Sequence, residues 1–352
     1  MVELSLGLFP TEPPGRLVEL ICLAEELGYA CVYVGDSQMI WREAFVILGA
    51  AARATAHIRL ATGVSNPITR DPAVLAAGIE TLRELAGPRV VLGIGTGDSS
   101  LETLGKRPAT LAKLEASIEL VRGLLAGREV QHPDSGVPVR LTYVPPGEPP
   151  PVYVAVSSPR IHRLAGRVAD GAIVLVGTDP GFLAASRREL TAGQAEAAER
   201  QRAAGSTAGA PGTGNAANAP QRFRVVCWTP CSVGDDGWAA RASVKAHVAR
   251  VLKRRLPFAL DPATQAVVEE VRARYAYYEH MVPGTPHGDV VPDDLVERFA
   301  IAGSPSEARA QLQRLAAAGL VDEIALIPHA AQPADRERII HEVAAMSPSL
   351  QS

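Results

Sequence analysis

The chain has 352 residues, 47% hydrophobic and 21% charged, which excludes a disordered or fibrous protein and allows a sizeable core. Its formal net charge of -3, with both signs interspersed, excludes a broad electrostatic surface for nucleic acid or an anionic membrane. The length fits one large barrel or two smaller domains, so the pattern of elements must decide between them.

The N-terminus and the cysteines indicate a cytoplasmic protein. The opening residues MVELSLGLFP lack the features of a signal peptide, and no apolar run is long enough to span a bilayer. The four cysteines are Cys22, Cys31, Cys227 and Cys231, and this usage is typical of a reducing compartment, so we predict no disulfide. Cys227 and Cys231 have no histidine pair nearby to complete a zinc site, and no metal is predicted.

Short apolar runs rich in β-branched residues recur along the chain and predict eight parallel strands. In chain order they cover residues 4–9, 30–36, 58–64, 90–95, 151–157, 171–177, 223–229 and 323–328. Stretches of helical period lie between them, at residues 14–27, 42–55, 72–86, 108–125, 160–169, 182–204, 238–256 and 306–318. This alternation favours a single domain over residues 1–352, folded as a (β/α)₈ TIM barrel of the α/β class.

An open doubly wound sheet is the alternative architecture, because a count of strands does not prove closure. Such a sheet usually carries a glycine-rich turn after its first strand, whereas the turn here, LFPTEPPG, is rich in proline.

Two segments exceed the short connections of a barrel and are interpreted as insertions, at about 129–151 and 178–295. The first alternates apolar and polar residues around Ser135-Gly136 and predicts an excursion hairpin. Within the second, residues 205–220 are rich in Gly, Ala, Asn and Pro and predict a mobile surface loop. Residues 274–291 gather three tyrosines and two histidines in a loop-forming stretch that is expected to cover the barrel mouth.

Polar residues follow several predicted strands at the end where a barrel places its active site. Asp36 ends the second strand, and a carboxylate there can accept a ring N–H or take part in proton transfer. The alternative is that Asp36 or Ser37 caps the next helix. Trp41 is expected either to close the mouth with its flat face or to lie in the core.

The turn GIGTGDSS, residues 93–100, follows the fourth strand and lets the backbone approach a flat ring or a phosphate closely. It lacks the spacing of a dinucleotide-binding turn, so the alternative is a tight turn without a ligand. Ser157, Ser158 and Arg160 lie before a helix, and the next strand ends at Gly177-Thr178, so together they predict an anion site. The alternative for the two serines is helix capping alone.

Taken together, these stretches resemble the bacterial luciferase-like superfamily of flavin- and F420-dependent oxidoreductases, especially its methylenetetrahydromethanopterin-reductase-like branch. The resemblance spans nearly the whole chain, and the following stretches carry it: GDSQMIW (35–41), ATGVSNPITRDP (61–72), VVLGIGTGDSSLETLG (90–105), VYVAVSSPRIHRLAGRVADGAIV (152–174) and residues 293–328.

The resemblance implies a metal-free barrel that holds a flavin or deazaflavin ring against the end of the third strand. A non-prolyl cis peptide is expected behind the ring at Gly63–Val64. Asp36 and Trp41 are implied to flank the reacting face as catalytic residues, with Asp98 the acidic residue after the glycine turn. The remaining residues expected to contact the cofactor are Ser65, Asn66, Gly95, Thr96 and Gly97 near the ring, and Ser157, Ser158, Gly177 and Thr178 near its phosphate.

Ser37 stands where several F420-dependent dehydrogenases have a histidine base, which argues against alcohol oxidation through that base. The sequence therefore favours an F420-dependent reductase that transfers hydride to a small organic substrate, with Asp36 or Asp98 as candidate proton donor. The alternatives are a monooxygenase that uses reduced FMN from a separate cofactor reductase, and a ligand-binding barrel without catalysis. A homodimer is expected from the family, with no nucleic-acid or membrane partner.

Overall fold

The computed structural model describes residues 2–144, 148–205, 222–279, 281–330 and 333–347. The predicted surface loop at 205–220 therefore lies almost entirely outside the described residues. In the described part the strands are β1 (Glu3–Leu8), β2 (Cys31–Val34), β3 (Arg59–Thr62), β4 (Val90–Ile94), β5 (Val130–Gln131), β6 (Pro138–Val139), β7 (Val152–Val156), β8 (Gly171–Val174), β9 (Arg224–Val233), β10 (Ile301–Gly303) and β11 (Glu323–Pro328).

Helices alternate with these strands. They are α1 (Pro14–Glu26), α2 (Ala44–Ala54), α3 (Pro72–Ala86), α4 (Ser99–Glu102), α5 (Leu111–Leu125), α6 (Pro159–Val168), α7 (Pro180–Gly205), α8 (Gly237–Leu252), α9 (Pro262–Arg274), α10 (Pro286–Asp289), α11 (Asp293–Phe299), α12 (Pro305–Ala317) and α13 (Pro333–Ala344). Short 3₁₀ turns occur at Gly87–Arg89 and Tyr277–Glu279. Within the described residues, every helix is too short or too polar to traverse a lipid bilayer.

Eight parallel strands close into a barrel in the order β1-β2-β3-β4-β7-β8-β9-β11, with β11 paired back to β1. Closure depends on β9, which pairs with β8 at its start and with β11 further along. The (β/α)₈ prediction is therefore confirmed, and the open-sheet alternative is wrong. Each of the eight predicted strands is present, with ends that differ by a few residues.

Two details of the strand prediction differ from the structure. The seventh strand was predicted to end at residue 229, before Pro230, but β9 continues to Val233. The strand continues because its last three residues pair with β10, a short strand that the sequence pattern did not indicate. The excursion hairpin is present as the antiparallel pair β5 and β6, and residues 145–147 of the predicted insertion lie outside the described residues.

The barrel strands are apolar on both faces, which explains why they read as continuous apolar runs. In β2, Val32 and Val34 pack outward against the helices, whereas Cys31 and Tyr33 belong to a second cluster inside the barrel. At the N-terminal end of the barrel, Tyr33 Oη donates to Glu323 Oε1 at 2.9 Å. Arg59 and Arg224 each donate to the other oxygen of Glu323 at 3.1 Å, so the base of the barrel is filled by a paired, hydrogen-bonded cluster.

Candidate active site

A cavity opens at the C-terminal mouth of the barrel and encloses about 740 Å³ of space continuous with solvent. Nine of the residues selected from the sequence line it: Asp36, Trp41, Gly63, Val64, Gly95, Thr96, Gly97, Asp98 and Ser157. Chain segments far apart in sequence thus meet where parallel barrels carry their active sites.

The end of β3 forms one wall of the cavity. The Gly63–Val64 peptide bond is cis, which confirms the prediction made from the family resemblance. Directly beyond it, the Ser65 amide donates to the Gly93 carbonyl at 2.9 Å, and the Gly95 amide donates to the Ser65 carbonyl at 2.9 Å. A side chain at Gly95 would place its Cβ 3.2 Å from Val64 and 3.4 Å from Ala155. Gly95 therefore adds no side chain of its own between Val64 and Ala155, so a planar ring can approach the backbone closely at this point.

Asp36 is 4% exposed and accepts four hydrogen bonds. Ser65 Oγ donates to its Oδ2 at 2.6 Å and Gln38 Nε2 to its Oδ1 at 2.8 Å. Arg70 adds two more, from Nε at 2.8 Å and from Nη2 at 3.0 Å. Burial acts to lower the pKa of Arg70, but its hydrogen bonds to Asp36 and Glu43 more than offset this and raise it. Four donors on one carboxyl group are the pattern of an ionised, rigidly oriented acceptor.

The helix-capping alternative for Asp36 and Ser37 is wrong. The next helix, α2, begins eight residues after Asp36, and its N-cap is Glu43, whose side chain accepts from the Val46 amide at 2.9 Å. Ser37 instead lies beside Ser99, with 3.1 Å between the two hydroxyl oxygens. Asp36 is thus not a helix cap, and its side chain borders the cavity.

Aromatic rings form another part of the cavity wall. Trp41 is 7% exposed and stacks on Phe9, with ring centroids 4.3 Å apart and planes 12° from parallel. Trp228 lies 6.2 Å from Phe9 at a tilted angle, and all three residues line the cavity. Phe9 and Trp228 were not selected from the sequence. In the sequence, Phe9 and Trp228 are marked only by their positions at the end of a barrel strand or within one. Aromatic residues of the core have the same positions, so the sequence does not distinguish the two.

Asn66 and Ser65 lie behind the cavity wall rather than on it. Asn66 is 1% exposed, its Oδ1 accepts from the Thr69 amide at 2.9 Å, and its Nδ2 donates to Ser100 Oγ at 3.1 Å. These bonds join the turn after β3 to the start of α4. Gly97, with φ of +90°, packs against Asn66 and Leu101, a conformation and a close approach that favour glycine. These residues therefore set the shape of the site.

Asp98 lies against cationic side chains from α8 that the sequence reasoning missed. Arg254 Nη2 donates to Asp98 Oδ2, while Arg250 Nη2 is 3.4 Å from the same atom and Lys253 Nζ is 3.7 Å from Oδ1. Burial lowers the pKa of Lys253 to about 8, although the Asp98 charge acts to raise it. The missed signal was the spacing of residues 250, 253 and 254, which places three cations on one helical face.

The four residues predicted near the cofactor phosphate occupy two neighbouring strand ends. Ser157 lines the cavity, and Ser158 is the N-cap of α6 but makes no side-chain capping bond. Gly177 has φ of +96° and packs against the Arg298 carbonyl, which also accepts from the Thr178 amide at 2.9 Å and hydroxyl at 3.2 Å. The N-terminus of α6 has no side-chain cap, so its first backbone amides are available to an anion, and Arg160 on it is exposed.

The aromatic-rich segment 274–291 reaches the mouth of the barrel in part. Met281 packs against the cluster inside the barrel, and Met281 and Pro283 border a second, smaller cavity. Phe9 and Trp41 line that cavity as well. The segment therefore lies beside the aromatic residues of the main cavity, and none of its described residues lines that cavity.

Comparison with known proteins gives a family and two named activities. The family model for luciferase-like monooxygenase matches residues 3–322. A 5,10-methylenetetrahydromethanopterin reductase of Methanolobus tindarius is 27% identical over 92% of this chain and 94% of that protein. An F420-dependent glucose-6-phosphate dehydrogenase of Nakamurella multipartita is 34% identical over 48% of this chain and 54% of that protein. The structure of a coenzyme F420-dependent tetrahydromethanopterin reductase from Methanopyrus kandleri superposes with a TM-score of 0.74, at 21% identity over 99% of both chains.

Proposed function

Because the chain belongs to the luciferase-like monooxygenase family, we propose that it is an F420-dependent oxidoreductase, working as a reductase on a small organic substrate. The observation that carries this proposal is the similarity over 92% of the chain to a named reductase. The relatives named for F420 support the choice of deazaflavin over flavin.

The cavity supports the fit of a flat tricyclic ring. Gly95 adds no side chain between Val64 and Ala155, and a Cβ there would occupy space that the ring needs. Trp41 and Phe9 stack on each other in another part of the wall and exclude water from the cavity. When bound, the deazaflavin supplies or accepts the hydride. The open N-terminus of α6 next to Ser157 and Ser158, with Gly177 and Thr178 at the adjacent strand end, is the proposed place of the cofactor phosphate.

Asp36 and Asp98 take different roles within this proposal. Asp36 accepts hydrogen bonds from Ser65, Gln38 and Arg70, so it acts as a fixed acceptor that orients the ligand at the reacting face rather than as a reservoir of protons. Asp98 faces cations and stays an acceptor as well. Trp41 lines the cavity and stacks on Phe9, so its proposed role is to close this side of the site to water. The protein thus orients the cofactor and substrate and keeps water from the reacting atoms. These are the main contributions of a protein to cofactor chemistry.

A second candidate function, an FMNH₂-dependent monooxygenase supplied by a separate cofactor reductase, is favoured by the description of the matching family model. One pair of titrations separates the two. F420 and FMN are added separately to purified protein while cofactor fluorescence is followed, and we expect F420 to bind at least tenfold more tightly. Tighter binding of FMN, followed by consumption of oxygen with reduced FMN, would instead support the monooxygenase.

We also propose that the protein is a homodimer. Val46 on α2 and Val74 and Leu85 on α3 are apolar but 66%, 62% and 42% exposed, and α2 and α3 pack side by side. Exposed apolar side chains on two adjacent helices make this face the candidate interface. Light scattering after gel filtration tests the proposal, because Val46→Glu combined with Val74→Glu should convert a dimer into a monomer. A monomeric wild-type protein would contradict it.

A further inference from the structure

The end of α8 brings three cations to the wall of the cavity. Arg250 lies in the last turn of the helix, Lys253 is its C-cap residue, and Arg254 follows. Arg250 and Arg254 line the cavity, and Lys253 Nζ lies 4.0 Å from the centre of the Tyr275 ring. Among the described residues, Asp98 is the carboxylate on which all three converge.

All three cations are largely buried, and the two arginines carry donor atoms that lack a partner among the described residues. The exposed fractions of the side chains of Arg250, Lys253 and Arg254 are 11%, 12% and 22%. Removing a cation from water costs free energy unless opposite charge and hydrogen bonds replace the water. In the described part of the chain, the buried Nε atoms of Arg250 and Arg254 have no hydrogen-bond partner. Burial, together with Arg254, lowers the pKa of Arg250 even though Asp98 acts to raise it.

The C-terminal end of α8 explains why basic residues occur there, but it does not explain why their side chains border the cavity. A helix C-terminus attracts cations, so basic residues at this position need no ligand to explain their presence. Arginine and lysine side chains at such an end normally extend their charged groups into water. Here Arg250 and Arg254 turn inward and border the cavity instead. Their orientation therefore indicates that the cavity receives negative charge.

We propose that Arg250, Lys253 and Arg254 bind an anionic group, a carboxylate or a phosphate, carried by the substrate. This inference rests on the proposed function, since it places the substrate in the cavity that holds the cofactor ring. Guanidinium groups suit such an anion because they form two parallel hydrogen bonds to its oxygens. Asp98 is then the resident counter-charge that holds the guanidinium groups in place before the substrate enters.

The test uses three probes: inorganic phosphate, benzoate and the uncharged benzamide. Each is titrated by calorimetry at low ionic strength into protein with and without saturating F420, because the cofactor fills the separate phosphate position near Ser158. We expect phosphate and benzoate to bind in both states, and benzamide to bind at least tenfold more weakly than benzoate.

Variants locate the binding. Arg254→Met should weaken phosphate binding at least tenfold, whereas the matched control Arg274→Met, which removes an exposed arginine paired with Glu270 on α9, should leave it unchanged. Asp98→Asn should tighten phosphate binding, because it removes the carboxylate that competes for the same cations. A gain in affinity cannot result from loss of folding, so this variant remains informative if Arg254→Met is unstable.

Equal phosphate affinity in Arg254→Met and wild type, or no binding of phosphate and benzoate to wild type, would overturn the inference. So would loss of phosphate binding on adding F420 together with weaker F420 binding by Arg254→Met, since the anion would then belong to the cofactor. If F420 does not bind at all but phosphate binding still depends on Arg254, the proposed function fails while the anion site stands.

Discussion

Arg70 binds both carboxylate oxygens of Asp36, with Nε 2.8 Å from Oδ2 and Nη2 3.0 Å from Oδ1. The same guanidinium group also donates to Glu43 and lies 4.7 Å from the centre of the Phe45 ring, so it is fixed on three sides. A bidentate pair of this kind fixes the orientation of the carboxylate as well as its position. The orientation of the Asp36 carboxylate is therefore determined by a residue 34 positions further along the chain.

Asp36→Asn tests the orienting role. The amide keeps the shape but loses the charge, and its NH₂ group must face one of the donors that the carboxylate accepted. We expect turnover to fall by about a hundredfold, and the free energy of unfolding to fall by about 1–3 kcal/mol because hydrogen bonds to a charged group are lost. The measurements are steady-state kinetics, once a substrate is known, and urea unfolding.

Glu43→Gln is the matched control for this prediction. Glu43 is the second carboxylate partner of Arg70, and the Glu43 side chain is 41% exposed. The substitution leaves the ion pair between Arg70 and Asp36 in place. We expect turnover within about threefold of wild type, since its effect is limited to a helix cap and a partly exposed ion pair. Equal losses of turnover in both variants would show that Asp36 acts only through the stability of the network.

Gly95→Ala tests the place of the ring. The added methyl group would stand 3.2 Å from Val64 and 3.4 Å from Ala155, inside the cavity but not against buried backbone. We therefore expect F420 affinity to fall by at least about tenfold, equivalent to about 1.4 kcal/mol, with a change in unfolding free energy below about 1 kcal/mol.

Gly15→Ala on α1 is the control for Gly95→Ala, because no atom lies within 4 Å of its added Cβ. It should leave F420 affinity unchanged and raise the stability by about 0.4–1 kcal/mol. F420 titration and thermal unfolding of both variants check the pair. Unchanged affinity in Gly95→Ala would move the ring away from the end of the fourth strand.

The barrel could be predicted from sequence because its signals are local. Strands such as β2 bury Val32 and Val34 against helices and Cys31 and Tyr33 inside the barrel, so each reads as an unbroken apolar run. The strand β10 could not be predicted, because it has only three residues, which pair with the end of β9. Three residues are too few to show a periodic pattern in the sequence. Five helices, α4, α9, α10, α11 and α13, were also not assigned as separate elements.

Site residues at the ends of strands could be predicted from the sequence. Site residues that lie on other elements and contact the site only in the folded protein could not. Asp36, Gly63 and Gly95 could be selected because a barrel brings all its strand ends together. Arg70 and the cations at the end of α8 could not be selected in this way. No local sequence pattern indicates that Asp36 contacts residue 70, or that Asp98 contacts Arg254, 156 positions away. Asp36 and Asp98, the candidate proton donors, are both held by arginine in the structure, an arrangement that favours the acceptor roles proposed above.

Ser158→Ala tests the proposed cofactor-phosphate position. Ser158 is the N-cap of α6, yet its hydroxyl makes no capping bond, so it is available to a ligand. Loss of a hydrogen bond to a charged group should weaken F420 binding by about tenfold or more, with little change in stability. Ser135→Ala, in the exposed hairpin turn, is the control and should bind F420 as the wild type does. An unchanged dissociation constant for Ser158→Ala would place the phosphate elsewhere.

His162 makes the stability of the protein depend on pH. The imidazole is fully buried on α6, its Nδ1 donates to the Ser158 carbonyl at 2.8 Å, and its Nε2 has no partner among the described residues. Burial lowers the pKa of His162 from 6.5 to about 4. The folded protein thus keeps the ring neutral at pH values where the unfolded chain would protonate it.

The unfolded state therefore binds more protons between pH 6.5 and 4, so stability is complete above pH 6.5 and is lost as the pH falls toward 4. The slope approaches about 1.4 kcal/mol per pH unit, which gives a loss of about 2 kcal/mol between pH 6.5 and 5. His162→Gln cannot titrate and should lack this part of the pH dependence, whatever its stability at pH 7. Urea unfolding of both proteins at pH 7 and pH 5 measures the difference. If the stability of wild type and variant falls by the same amount over this interval, His162 is protonated in the folded protein and the acid sensitivity arises from other groups.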